Sequence, residues 1–145
     1  MNETVVHVEA EVNLTEDLEK VKLAVKNIFG AVKFKVELRT WGQLLIAETK
    51  GTKTLTKLHD MLRREQIFAA ARKVLFSGMD ETSVTFYLNK QVAYAGHISF
   101  SQKTGESPLG PITVQIRCNN PQELIDWLTP KPPPGTRSSR QKPKM

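Results

Sequence analysis

Two groups of side chains in this sequence have types and spacing suited to holding phosphate. Lys33, Lys35 and Arg39 recur at period two, so an extended strand would line them along one face. Asn89, Lys90 and Gln91 place one ammonium between two neutral amides, a set able to bind an anion and add hydrogen bonds. Each phosphate neutralised on duplex nucleic acid adds about −0.9 to the salt slope, so a few aligned cations change affinity appreciably. Glu37 interrupts the first group, and alternating charge is the ordinary pattern of a solvated face.

Other residues with catalytic potential are scattered. His7, His59, His97 and Cys118 show no CxxC, HxxxH or HExxH spacing, so no metal site is expected. Glu9 and Glu11 share a strand face, where paired carboxylates can serve acid–base chemistry but solvation is the simpler role. Ser107, in GESPLGPI, has no evident base nearby, and the surrounding Gly and Pro residues read as a stiff turn. The sequence has no GxGxxG, P-loop, GxSxG or kinase-type motif. His97 falls among Ala93, Ala95 and Ser99, which favours a packed or hydrogen-bonded structural histidine over a catalytic one. The expectation is a non-enzymatic protein with no cofactor.

Charge divides the chain unevenly. The formal net charge is +6, yet residues 129 to 145 hold five of the 21 basic residues and none of the 15 acidic ones. The first 128 residues therefore carry 16 basic against 15 acidic groups, a net of +1. The basic character belongs to the tail, which weakens a nucleic-acid reading of the body. At 145 residues, with 39% hydrophobic and 25% charged residues, the composition fits one soluble domain. No apolar run approaches the roughly 18 residues of a membrane span, and MNETVVHVEAEVN lacks a signal-peptide core. Together with a single cysteine, this makes a cytoplasmic location the expectation.

The elements that must position these residues follow from periodicity. Alternation predicts strands over TVVHVEAEV (4–12), KFKVELR (33–39), QLLIAE (43–48), SVTFYLN (83–89), VAYAGHISF (92–100) and ITVQIRC (112–118). In KFKVELR, Phe34, Val36 and Leu38 form the apolar face. NKQ is then the turn between two antiparallel strands, and Tyr94 and Ile98 point inward. Helices are predicted from Thr15 to Gly30, from about Thr54 to Phe76 with a break near Arg64-Glu65, and over PQELIDWL. Arg63, Arg64, Arg72 and Lys73 populate the long helical region, interrupted by Asp60 and Glu65. Most aromatics (Phe29, Phe34, Phe86, Phe100, Trp127) sit at core-periodic positions, leaving Tyr87 and Trp41 as stacking candidates. The predicted architecture is α+β: a two-layer sandwich with a mixed, mostly antiparallel sheet and helices on one face. Residues 1–129 form the domain, and 130–145 form a disordered, Pro-rich basic tail.

Read in order, VNLTEDLEKV, LRREQIFAAARKVL, NKQVAYAGHISF, ESPLGPI and IDWLTP resemble an archaeal family of uncharacterised proteins, family two hundred and one, grouped with predicted RNA-binding proteins. The resemblance covers roughly residues 4 to 130. It implies an α+β fold similar to the ribosomal protein that contacts 5S ribosomal RNA, and a homodimer; it supplies no catalytic residues. Two functional expectations follow. One is association with RNA or ribonucleoprotein through Lys33, Lys35, Arg39, Asn89, Lys90, Gln91 and the basic tail. The other is a homodimeric scaffold or protein-interaction module without specific RNA binding.

Overall fold

The structure, a computed structural model, describes residues 4–102 and 110–131. In chain order the elements are β1 (Val5–Asn13), α1 (Leu18–Phe29), β2 (Phe34–Arg39), β3 (Gly42–Lys50), α2 (Lys53–Arg64), α3 (Phe68–Ser77), β4 (Ser83–Leu88), α4 (Lys90–Tyr94), β5 (Phe100–Ser101), β6 (Ile112–Arg117) and α5 (Pro121–Leu128). The strands form one six-stranded sheet in the order β2-β3-β1-β6-β4-β5, with every pairing antiparallel. This is the expected α+β two-layer arrangement.

The alternation of β1 decides which way the sheet faces. Val6, Val8, Ala10 and Val12 are buried, opposite Ala47 and Leu45 of β3 and Ile116, Val114 and Ile112 of β6. Helices close this face with Val21, Val25, Ile28 and Phe29 of α1, Leu55, Leu58 and Leu62 of α2, and Leu124, Ile125 and Leu128 of α5. Burying side chains of this size stabilises the fold by about 1.5–3 kcal/mol each. The opposite face carries His7, Glu9, Glu11, Lys35, Glu37, Glu48, Gln115 and Arg117 in matching register, and among the described residues no helix covers it.

Local chemistry explains the boundaries. Asp17, not Thr15, caps α1, its side chain accepting from the Glu19 amide at 2.9 Å. Glu16 turns back instead, accepting from the Asn13 amide at 2.9 Å. The predicted long helix is two helices, broken where Gln66 takes a left-handed φ of 59°. Asn120 caps α5 with Pro121 in its first turn, as the sequence indicates. Gly78 lies so close to β4 that a Cβ there would sit 1.9 Å from the Thr85 carbonyl oxygen, so only glycine fits.

One expectation is overturned. VAYAGHISF is not a strand, and NKQ is not a turn between strands: residues 90–94 form helix α4, and of VAYAGHISF only its last residue, Phe100, joins a strand, pairing with β4 together with Ser101. Asn89 is the N-cap, accepting from the Val92 amide at 2.9 Å, and Gly96 ends the turn at φ 88°. Tyr94 is consequently exposed rather than inward, whereas Ile98 is buried as expected. His97 is also exposed, at 68%, and hydrogen-bonds Glu65 at 3.0 Å instead of lying beneath a neighbouring element. Ser107, the stiff turn around it and residues 132–145 of the tail lie outside the described residues.

Candidate nucleic-acid interface

The period-two cations of β2 stand on the uncovered face as their spacing requires, but they are partnered. The Glu37 carboxylate lies 2.5 Å from the Arg39 guanidinium and 3.3 Å from the Lys35 ammonium. Hydrogen bonds from Arg39 and then Lys35 hold the Glu37 carboxyl below its ordinary range, against an opposing push from desolvation, and the two positive charges add a lesser pull in the same direction. Along the same face, Lys35, Arg39, Lys50 and Arg117 are balanced by Glu9, Glu11, Glu37 and Glu48. Near its middle, His7 lies 2.8 Å from Glu9 and 3.1 Å from Glu48. Partial burial pushes the His7 pKa down, but hydrogen bonds and charge from both carboxylates outweigh it and raise the value above 6.5. With His7 neutral, this face has local charge pairs and no net charge.

The Asn89-Lys90-Gln91 group is split by α4. Lys90 turns inward and is only 4% exposed, which removes its ammonium from the reach of a phosphate arriving from solvent. It donates to the Glu11 carbonyl at 2.7 Å and to both Glu16 carboxylate oxygens at 3.1 Å. The lysine thus ties α4 to β1 and to the loop before α1. Asn27 reinforces the junction by donating to the Ala93 and Tyr94 carbonyls at 2.9 and 3.1 Å. Asn89 is occupied as the helix cap, and Gln91 remains exposed at the rim. A cleft of about 310 Å³ opens here, lined by Asp17, Glu16, Lys20, Lys90, Gln91 and Tyr94; Lys90 is paired with Glu16, and the Lys20 ammonium stands 5.9 Å from the centre of the Tyr94 ring.

A cationic cluster that sequence order conceals lies where α1, β2 and α2 meet. The Lys22 and Lys26 ammoniums stand 6.0 and 5.9 Å from the centre of the Phe34 ring. Lys57 of α2 donates to the Lys26 carbonyl at 3.2 Å, at the electronegative end of α1. Lys33, directly before Phe34, is exposed. The one carboxylate engaged with this group among the described residues is Glu19, 3.4 Å from Lys22. Among the described residues, Lys57 has two further N–H groups after its bond to α1 and Lys26 keeps all three, so the cluster can present several donors to a polyanion. Periodicity along one strand could not reveal it, because its members come from three elements. Of the predicted residues, Lys33 adjoins it in sequence, next to Phe34; Lys35 follows on the other face of β2.

A family profile described as RNA binding matches residues 5–118. A relative from Sulfolobus acidocaldarius, a UPF0201 protein, is 47% identical over 128 residues, covering 88% of each chain. The chain belongs to the UPF0201 family. A second UPF0201 protein, from Sulfurisphaera tokodaii, is 45% identical over 128 residues and again covers 88% of both chains. The crystal structure of the UPF0201 protein from Methanococcus jannaschii superposes with a TM-score of 0.78 at 35% identity, covering 87% of this chain and 99% of that one. The archaeal family expected from the five sequence segments is therefore the correct one. This UPF0201 chain keeps the fold across nearly the whole of that neighbour.

Among the described residues, no helix is long and apolar enough to cross a membrane, and no group of three or more His, Cys, Asp or Glu side chains is placed to hold a metal ion. Cys118 is buried, and burial pushes its thiol up, away from the reactive thiolate.

Proposed function

We propose that this UPF0201 protein is a non-enzymatic, cytoplasmic RNA-associated protein that grips phosphate at the junction of α1, β2 and α2. The observation that carries this reading is the convergence of Lys22, Lys26 and Lys57 beside Lys33, with one carboxylate engaged among them. Lys35 and Arg39 extend the basic edge along β2, Gln91 offers a neutral hydrogen bond on α4, and the acid-free basic tail adds non-specific attraction. Lys90 and Asn89 serve the fold by holding α4 in place and take no part in this surface. The family's RNA-binding description agrees with it. The test is a salt series with labelled structured RNA and the full chain. Replacing Lys26, Lys33 and Lys57 by Gln lowers affinity and flattens the salt slope by about 0.9 for each duplex phosphate no longer neutralised. Absence of salt-dependent binding by the unaltered chain would sink the proposal.

A second reading, a homodimeric scaffold, is favoured by the β2 edge. Val36 and Leu38 point to the helix side of the sheet but are 36% and 79% exposed, because no helix among the described residues extends over them. Among the described residues, the outer backbone of β2 has no partner strand in the sheet, a liability that proteins usually mask. Antiparallel pairing of two copies centred on Val36 would set Lys35 opposite Glu37 twice and Phe34 opposite Leu38 twice, a self-complementary register. Light scattering decides it: a dimer mass that Leu38→Lys converts to monomer supports this reading, and a monomer at micromolar concentration removes it.

A further inference from the structure

The groove between α3 and the chain leaving α5 combines features that neither reading uses. It measures about 500 Å³, within the roughly 300–1,000 Å³ of typical ligand pockets. Phe68, Arg72 and Phe76 follow one another at four-residue steps, so they form a stripe along α3. The Arg72 guanidinium lies 4.9 Å from the centre of the Phe76 ring. Its charge is already engaged, by Asp126 at 2.6 Å and by the Thr129 carbonyl at 3.0 Å. Those bonds hold the guanidinium plane in place rather than leaving it to seek an anion. Phe68 is held from behind by His59, whose ring lies 5.5 Å away and itself stacks on Trp127 at 5.3 Å. The groove therefore has a floor of aromatic rings and a guanidinium, each held by neighbouring side chains.

Its rim is charged in one sense. Lys73 and Lys131 line it, both exposed and with no ion pair among the described residues. Asp126, bonded to the Arg72 of the floor, is already committed. From Lys131 onward the sequence carries five basic residues and no acid. A ligand matched to this site has a flat apolar body and negative charge beside it.

We propose that this groove stacks an unpaired base of single-stranded RNA on Phe76 and Phe68, with the flanking phosphates on Lys73 and Lys131. Stacking on aromatic and guanidinium planes is how proteins hold splayed-out bases, whereas bases inside an A-form duplex are stacked on each other and out of reach. The proposal rests on the RNA reading above but uses different residues, on α3 and after α5 instead of α1, β2 and α2. It adds a substrate class: strands with unpaired bases, in preference to continuous duplex.

The experiment titrates the full chain with a labelled poly-uridine oligomer and, separately, with a duplex RNA of the same length. Phe68→Leu and Phe76→Leu together keep apolar packing and remove the rings, and thermal unfolding verifies that the variant is folded. The expected result is a drop of at least about fivefold in single-strand affinity with duplex binding unchanged. Lys73→Gln with Lys131→Gln should flatten the single-strand salt slope by about 0.7 for each phosphate no longer neutralised. Equal single-strand binding by a folded Phe variant overturns the stacking site while leaving the lysine cluster intact. Failure of the unaltered chain to bind either RNA brings down the underlying reading as well. If replacing Pro132, Pro133 and Pro134 by Ser raises single-strand affinity while the Phe variants do nothing, the groove's occupant is the chain's own Pro-rich segment, and the proposal falls.

Discussion

Lys90 and Lys35 are both lysines beside a glutamate, both in segments that the sequence marks for phosphate contact, and the fold gives them opposite situations. Lys90 is 4% exposed against a Glu16 that is 10% exposed, and it bonds the β1 backbone as well. Lys35 is 73% exposed and reaches Glu37 across 3.3 Å of solvated strand face. The first pair is fixed because each charge would otherwise be stranded without water; the second is held by little and can exchange partners. Burial, more than residue type, decides which lysine serves the fold and which is free to serve a ligand.

Breaking the buried member gives the largest expected effect. Lys90→Ala leaves the Glu16 carboxylate without its ammonium and should cost about 3–5 kcal/mol in denaturant unfolding. Glu16→Gln, which keeps an acceptor for the Asn13 amide, should cost less than Lys90→Ala. RNA affinity per folded molecule should not change in either variant. A Lys90→Ala protein of full stability but weakened RNA binding would invert the comparison.

The same contrast shows what sequence patterns can and cannot report. Alternation in β1, β2, β4 and β6 located the strands and their inward faces because a period of two follows directly from strand geometry. It could not report that Leu38 would be exposed, since periodicity names a face without saying whether a helix reaches it. In NKQVAYAGHISF the apolar positions Val92, Tyr94, Ile98 and Phe100 imitate alternation. The helix signals were present as well: an Asn cap, helix-forming Lys, Gln and Ala residues, and Gly96 just past the end. A capping argument applied there would have turned Lys90 inward. The lysine cluster had no comparable signal. Lys26 and Lys57 are 31 residues apart, and only the packing of α1 against α2 brings them together. Phe68 and Phe76 were hidden for a similar reason, because a groove needs the chain after α5 as its second wall.

Sharpening the exposed member predicts smaller changes. Lys35→Ala should alter stability by at most about 1 kcal/mol, the usual range for a solvated pair. Glu37→Gln should do more for binding than for stability, since it frees both Lys35 and Arg39: RNA affinity at low salt should rise, and the salt slope should steepen. Acid should reproduce this effect. Glu37 has a depressed pKa in the fold, so its contribution is present above the ordinary value of 4.5 and is lost as pH falls through the lower folded value. A Glu37→Gln variant with unchanged RNA affinity across the salt series would show that Lys35 and Arg39 lie outside the interface.

The smallest effect belongs to His7, intermediate between the two lysine pairs at 27% exposure and flanked by two carboxylates. Its folded pKa is raised, so protonated His7 adds stability that is complete below the unfolded value of about 6.5 and fades as pH climbs through the folded value. Because Glu9 and Glu48 are 40% and 51% exposed, solvent screening should hold the gain below about 1 kcal/mol. Unfolding of the unaltered chain and of His7→Gln, compared at about pH 5.5 and about pH 8.5, isolates this contribution. The unaltered chain should be favoured over the variant more strongly at the lower pH, and a larger margin at the higher pH would show the sign to be wrong. The same titration bears on the uncovered face as a whole. When His7 loses its proton, Glu9 and Glu48 lose their shared counter-charge and the face gives up its one excess positive charge. Its affinity for RNA should therefore fall as pH rises, while the lysine cluster around Phe34 does not respond.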